Sequence, residues 1–138
     1  MHTYNDFRSK FANYEAIERH VEAIRWPATV ICPRCNSNQC KFSDVKVYYP
    51  WKCNNCRQWF SVTTLTPLHG TKLDLYQWGA LLVILYHDRK RSMSALAKEL
   101  SVTRATAYKM KAIALQALGD PVGQVDNFLL NLQKDLSA

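Results

Sequence analysis

The sequence predicts a small α+β fold: an N-terminal helix, a ribbon of short β-strands, then an all-α helix-turn-helix domain. Three observations predict it. Apolar residues recur at helical steps over residues 3–25. Two Cys-x-x-Cys pairs sit in a stretch rich in β-branched and aromatic types. A helical segment stops at Ser101-Val102 and restarts at Thr103. The divisions follow: 1–26 for the N-terminal helix, 27–66 for the ribbon, 72–118 for the helix-turn-helix, and 119–138 for a tail with a short helix.

In the first element Phe7, Phe11, Tyr14, Ile17, Val21 and Ile24 form one stripe, with Glu15, Glu18, Arg19 and Glu22 on other faces. Trp26-Pro27 ends it, because a proline ring pushes the preceding residue out of helical geometry. Strands are expected at Thr29-Val30-Ile31, Val45-Lys46-Val47-Tyr48-Tyr49, around Trp51, and at Trp59-Phe60-Ser61-Val62, with the cysteines on turns. Trp59 and Phe60 are assigned to the core, where aromatic rings supply most of the buried area. Residues 64–72 form a connector broken by Pro67 and Gly70. A strongly apolar helix runs from Leu73 to about Asp88, capped by Asp74. A short helix follows from Ser92 or Ser94 to Leu100, and a second from Thr103 to Leu118, stopped by Gly119-Asp120-Pro121. A last amphipathic helix covers 124–136, with Val125, Phe128, Leu129, Leu132 and Leu136 on one side; that stripe is suited to pairing two chains as a homodimer.

Cys32-Pro33-Arg34-Cys35 and Cys53-Asn54-Asn55-Cys56 are separated by seventeen residues, the spacing of a four-thiolate zinc site. Thiolates are soft donors that suit zinc, and four of them leave no open position for catalysis, so one structural zinc is expected. An iron–sulfur cluster, a redox pair and plain buried cysteines are the alternatives; two matched pairs in strand-like sequence favour zinc. Cys40 is a spare, packed thiol, since the set of four is already complete. His2, His20, His69 and His87 have no ligand spacing to one another and are assigned to surface or core. Arg34 and Arg57, in or beside the knuckles, and Lys52 stand as phosphate contacts or as solvated loop charges, with neither role preferred.

The formal net charge is +7, and its distribution says more than its size. Over 32–72 Arg34, Lys41, Lys46, Lys52, Arg57 and Lys72 face one acid, Asp44; over 89–118 Arg89, Lys90, Arg91, Lys98, Arg104, Lys109 and Lys111 face Glu99 alone. Two basic segments of this kind imply a polyanionic partner, most simply double-stranded DNA. In the helix pair Leu96, Ala97 and Leu100 give the first helix its inner stripe. Thr103 caps the second, whose inward face is Ala107, Met110 or the Lys111 stem, and Ala114. Arg104, Thr106 and Lys109 then face a major groove, where arginine can bond guanine in two places. Arg89, Lys90, Arg91 and Lys111 neutralise phosphates. The bland reading of the same pattern is a helical hairpin with a solvated basic face.

The start of the sequence is polar, and the longest apolar run, Gly79 to Tyr86, falls far short of the roughly twenty residues a bilayer span needs. The expectation is a cytoplasmic protein, nuclear in a eukaryote, with reduced thiols and no membrane partner.

Several of these segments in order resemble the zinc-ribbon transposases of bacterial insertion sequences: Phe11; Ile24-Arg25-Trp26-Pro27; the first cysteine pair; Trp51 through Thr63; Leu73 through Trp78; and Ser92 through Leu100. The likeness spans about residues 7–118. It implies a zinc ribbon joined to a helix-turn-helix that recognises the element's terminal inverted repeats, ahead of a separate RNase H-like domain that performs strand transfer. Two departures stand out. Leu65-Thr66 replaces the usual Gly-Thr, so a different link between the parts is expected. The twenty residues after Leu118, with Asp120, Asp126 and Asp135 close together, are too few for the catalytic domain. The expectation is therefore the DNA-binding half without enzymatic activity, since no general base, nucleophile or open metal position assembles. A stand-alone transcription regulator, or an adaptor whose ribbon docks on a larger protein complex, are the rivals.

Overall fold

The computed structural model describes residues 4–45, 48–71, 73–119 and 128–137. Their order is α1 (Tyr4–Lys10), α2 (Tyr14–Arg25), β1 (Cys40–Phe42), β2 (Trp51–Cys53), β3 (Trp59–Phe60), α3 (Leu75–His87), α4 (Met93–Leu100), α5 (Arg104–Gly119) and α6 (Phe128–Ser137). The fold is mixed α+β, as expected.

The one helix expected over 3–25 is two (Thr3 lies outside the described residues). The break falls at 11–13, where the Asn13 side chain accepts from the Ala16 amide at 2.8 Å and starts α2 afresh. This cap satisfies one of the amides a helix start leaves unpaired. The apolar stripe holds in part on both sides of the break: Phe7, Ile17 and Val21 are buried and Phe11 and Ile24 half-buried, while Tyr14 is exposed. Glu22 is a correction: expected on an outer face, it is buried, where its carboxylate accepts from Trp51 Nε1 at 3.0 Å and pairs with Arg19. Arg25 is buried too and donates to the Val62 carbonyl at 2.6 Å, tying the end of α2 to the chain just after β3.

The strands also differ from expectation. Thr29–Ile31 is not a strand; it leads into the first knuckle, whose Cys32 amide bonds Ser37 O at 2.9 Å rather than a partner strand. Val45, Tyr48 and Tyr49 lie in the bend between β1 and β2, while Lys46 and Val47 lie outside the described residues. The strand that pairs with β2 is Cys40–Phe42, in a three-stranded antiparallel sheet ordered β1-β2-β3. Cys40 stands opposite Cys53, Lys41 opposite Lys52, and Phe42 opposite Trp51. β3 ends at Phe60, because the Ser61 amide turns to bond Thr64 Oγ1 at 2.9 Å. Trp26 then packs edge-on against Trp51 and Phe60, with ring centroids 6.5 and 5.7 Å apart.

The helix α3 begins where the sequence put its cap. Asp74 accepts from the Gln77 amide at 2.8 Å, and the Gln77 side chain accepts from the Asp74 amide at 3.0 Å, a capping box. Buried almost all round, α3 is the central helix, with α1, α2, α4 and α6 packed on it. Gly79 allows the closest approach: a Cβ there would lie 3.3 Å from both Phe7 and Leu136 side-chain atoms. In α6, Phe128, Leu129, Leu132 and Leu136 are all buried, and Gln133 Nε2 donates to the Leu82 carbonyl at 2.9 Å. The stripe expected to pair two chains is thus spent on this chain's own core (Val125 and residues 124–127 lie outside the described residues). One apolar cluster runs from Phe7 through Cys32 and Cys53 to Leu136.

Candidate metal centre and nucleic-acid surface

Each knuckle is built by the same local hydrogen bond. Asn36 N donates to Cys32 O at 2.9 Å and Arg57 N to Cys53 O at 2.8 Å, both from residues with positive φ, 62° and 63°. The chain thereby doubles back just after the second cysteine of each pair. Asparagine tolerates that left-handed geometry; arginine does so less readily. Amides point at the sulfurs: Arg34 N lies 3.4 Å from Cys32 Sγ and Cys56 N lies 3.4 Å from Cys53 Sγ.

The four Sγ atoms of Cys32, Cys35, Cys53 and Cys56 all lie within 4.8 Å of one another. Cys32 to Cys56 is 3.7 Å and Cys35 to Cys53 is 3.5 Å. A tetrahedron with metal–sulfur bonds of ~2.3 Å has edges of about 3.8 Å, so these two edges are close to those zinc requires and all four sulfurs are near enough to share one ion. The four cysteines are placed to bind one zinc ion, and the set fits a closed structural site.

The thiols sit in unlike electrostatic surroundings, and it is position that sets the four apart from the fifth cysteine. Backbone donation from Cys56, above all, draws the Cys53 thiol down to about 6. The Asn55 amide, 3.6 Å from its sulfur, leads the groups that lower Cys35. At Cys56 the Gln58 amide pulls downward, but desolvation and the three facing sulfurs outweigh it, and the thiol stands at about 12. Cys40 is pushed up to about 11 by burial first and then by Cys53 and Cys32, and its thiol bonds the Ser37 carbonyl at 3.5 Å. It is a packed thiol outside the cluster, as expected.

Among the histidines, His20 lies 2.7 Å from Asp135, while the His69 ring lies tilted beside Tyr49 and the His87 ring edge-on to Tyr86; His2 lies outside the described residues. Arg34 and Arg57 are both exposed.

The second group of residues lies on α4 and α5. Ser92 caps α4, accepting from Ala95 N at 3.2 Å, and Leu96, Ala97 and Leu100 are buried. At the turn Ser101 takes a left-handed conformation, φ 57° and ψ 44°, and the Val102 amide returns to the Ala97 carbonyl at 3.0 Å. Thr103 Oγ1 then accepts from Thr106 N at 3.2 Å and starts α5, whose buried face is Ala107, Met110 and Ala114. Gln77 of α3 steadies this turn by donating to Leu100 O at 2.8 Å.

Arg104 and Lys109 are exposed, whereas Thr106 and Lys111 are half-buried. The Thr106 hydroxyl is occupied by Thr103, 3.0 Å away. Arg89 is exposed, and the partly exposed Arg91 is already paired with Glu99 and Asp88. Tyr108 escaped the sequence reading and is 69% exposed, beside Lys109 on the outer face of α5. Its position was legible in the helical period, which places residue 108 one turn from Arg104, on the same face.

Residues 12–58 match the family described as the transposase zinc-ribbon domain, a span that holds all four cysteines of the cluster and stops short of α3. No curated protein and no solved structure matches the chain.

Proposed function

We propose that the protein is a double-stranded-DNA-binding protein of transposon descent, in which a structural zinc braces the ribbon and α4 and α5 act as a helix-turn-helix. One observation carries the reading. α5 buries Ala107, Met110 and Ala114, while Arg104, Tyr108 and Lys109 project outward from its first turns, where a recognition helix meets base edges. The match of residues 12–58 to a transposase zinc-ribbon domain supports a nucleic-acid partner. So does the charge: the one acid between 89 and 118, Glu99, is neutralised by Arg91. Arg104 takes the base-reading role, with Arg89, Thr103, Lys109 and Lys111 on or near phosphates.

Strand transfer is not assigned to this chain. A closed set of four thiolates leaves its metal no position for substrate.

Selection of genomic fragments bound by the purified protein is the test. Terminal inverted repeats are the expected product. Promoters would replace the transposon reading with a regulator, and no enrichment of any DNA would leave the adaptor role. Within the bound site, Arg104→Ala should cost ~1–3 kcal/mol at the cognate sequence and little on random DNA. An equal loss on all sequences would make Arg104 a phosphate contact.

A further inference from the structure

The geometry points to the outward face of the ribbon's sheet as a second DNA contact, with Lys41 and Lys52 gripping the backbone of a duplex beside the ring of Trp59. This rests on the DNA-binding reading above. The register sets Lys41 opposite Lys52 and Lys52 opposite Trp59, so the three side chains leave one side of the sheet in a row. The opposite side carries the cluster's Cys53, with Phe42, Trp51 and the buried Phe60.

Like charges directly across a strand pair oppose folding. Among the described residues neither lysine forms an ion pair with a carboxylate. Lys41 alone would need no special account, because a lysine on an edge strand wards off pairing with other sheets. Lys52 is on the central strand, β2, where that role does not exist. Its ammonium stands 5.7 Å from the Trp59 ring centroid. Trp59 corrects the expectation of a core residue: it is half-buried and walls a shallow depression of about 370 Å³ with Lys41, Phe42, Ser43, Asp44 and Lys52. Asp44 is exposed on its rim and offsets one of the two positive charges.

Charge complementarity selects the occupant. Neighbouring strands lie about 4.8 Å apart, so the two ammonium groups can meet successive phosphates of one strand. Duplex DNA offers one negative charge per ~1.7 Å of axis, a density that favours paired lysines. Lysine stems can lie along the indole while their heads reach solvent. The face supplies grip and salt dependence rather than sequence choice.

The experiment compares wild type with the Lys41→Gln/Lys52→Gln double variant on duplex DNA across a salt series, with zinc content as the folding control. The slope of log affinity against log salt should fall by about two, equally on cognate and random sequences. The melting temperature should stay level or rise, since a like-charge pair is gone. If the double variant loses zinc, Lys41→Gln alone, farther from Cys53, should lower the slope by about one. An unchanged slope, or tighter binding to single strands than to duplex, overturns the proposal. Wild type with no affinity for any DNA sinks the DNA-binding reading itself. Wild type that binds and depends on Arg104, yet keeps its slope in the lysine variants, sinks only this inference.

Discussion

At the scale of single residues, the cysteines divide by geometry rather than by type. Cys53 is a corner of the tetrahedron and its neighbour across the strands, Cys40, is not, although the two face each other in register. Cys53 is drawn down to about 6, which favours the thiolate a metal needs, but Cys56, also a corner, stands at about 12 and Cys40 at about 11, so position and not acidity draws the line. Cys40→Ser should keep about one zinc per chain by elemental analysis, and Cys53→Ser should lose it together with the folded ribbon. Zinc retained in Cys53→Ser would remove that residue from the site. The ligands were legible in the sequence because their spacing alone encodes two matched knuckles. The burial of Glu22 was not, because the group that makes it tolerable, Trp51 Nε1, lies 29 positions along the chain. Arg19 completes the pairing on one side and lies 4.5 Å over the Phe42 ring on the other.

Between elements, helices were easier to foresee than strands. Caps act over three or four residues, so Asp74 and Ser92 announced α3 and α4 locally. Strands of two or three residues carry almost no period of their own, and their pairing was decided by where the knuckles brought the chain together. One junction between helices makes a pH prediction. The Tyr14 hydroxyl of α2 accepts from the Leu75 amide that opens α3, at 3.1 Å. Burial raises Tyr14 to about 12 from 10.0, against the pull of that amide. The folded state therefore holds the neutral phenol more tightly than the unfolded chain does. Its contribution is complete below pH 10.0 and is lost as pH rises toward about 12. Tyr14→Phe should cost ~1 kcal/mol at neutral pH, as for a typical lost hydrogen bond. Its stability should also fall less steeply over that alkaline window in denaturant titrations. An unaltered pH profile would mean that Tyr14 plays no part in it.

For the whole molecule, the decisive element is α6. From the sequence its apolar stripe is assigned to a dimer surface, because amphipathicity reports only that one face is to be covered and not by what. In the fold α3 and α2 cover it: Leu132 is 1% exposed, and Gln133 reaches the Leu82 carbonyl. Leu132→Ala should lose ~2–5 kcal/mol of stability, as buried leucines do. The denaturation midpoint should not depend on protein concentration, whereas a stripe shared between chains would make it do so. By itself the sequence determined the mixed fold class, the four zinc ligands, the caps of the later helices and the basic character of two segments. All of these rest on neighbours a few residues apart, or on a spacing that repeats. Only the tertiary structure decided that α6 and Glu22 are interior and that Arg91 is tied to Glu99. It also decided that Lys41, Lys52 and Trp59 share one open face of the ribbon. Each of those depends on which distant segment arrives alongside, and a one-dimensional pattern of apolar and charged residues does not specify that partner.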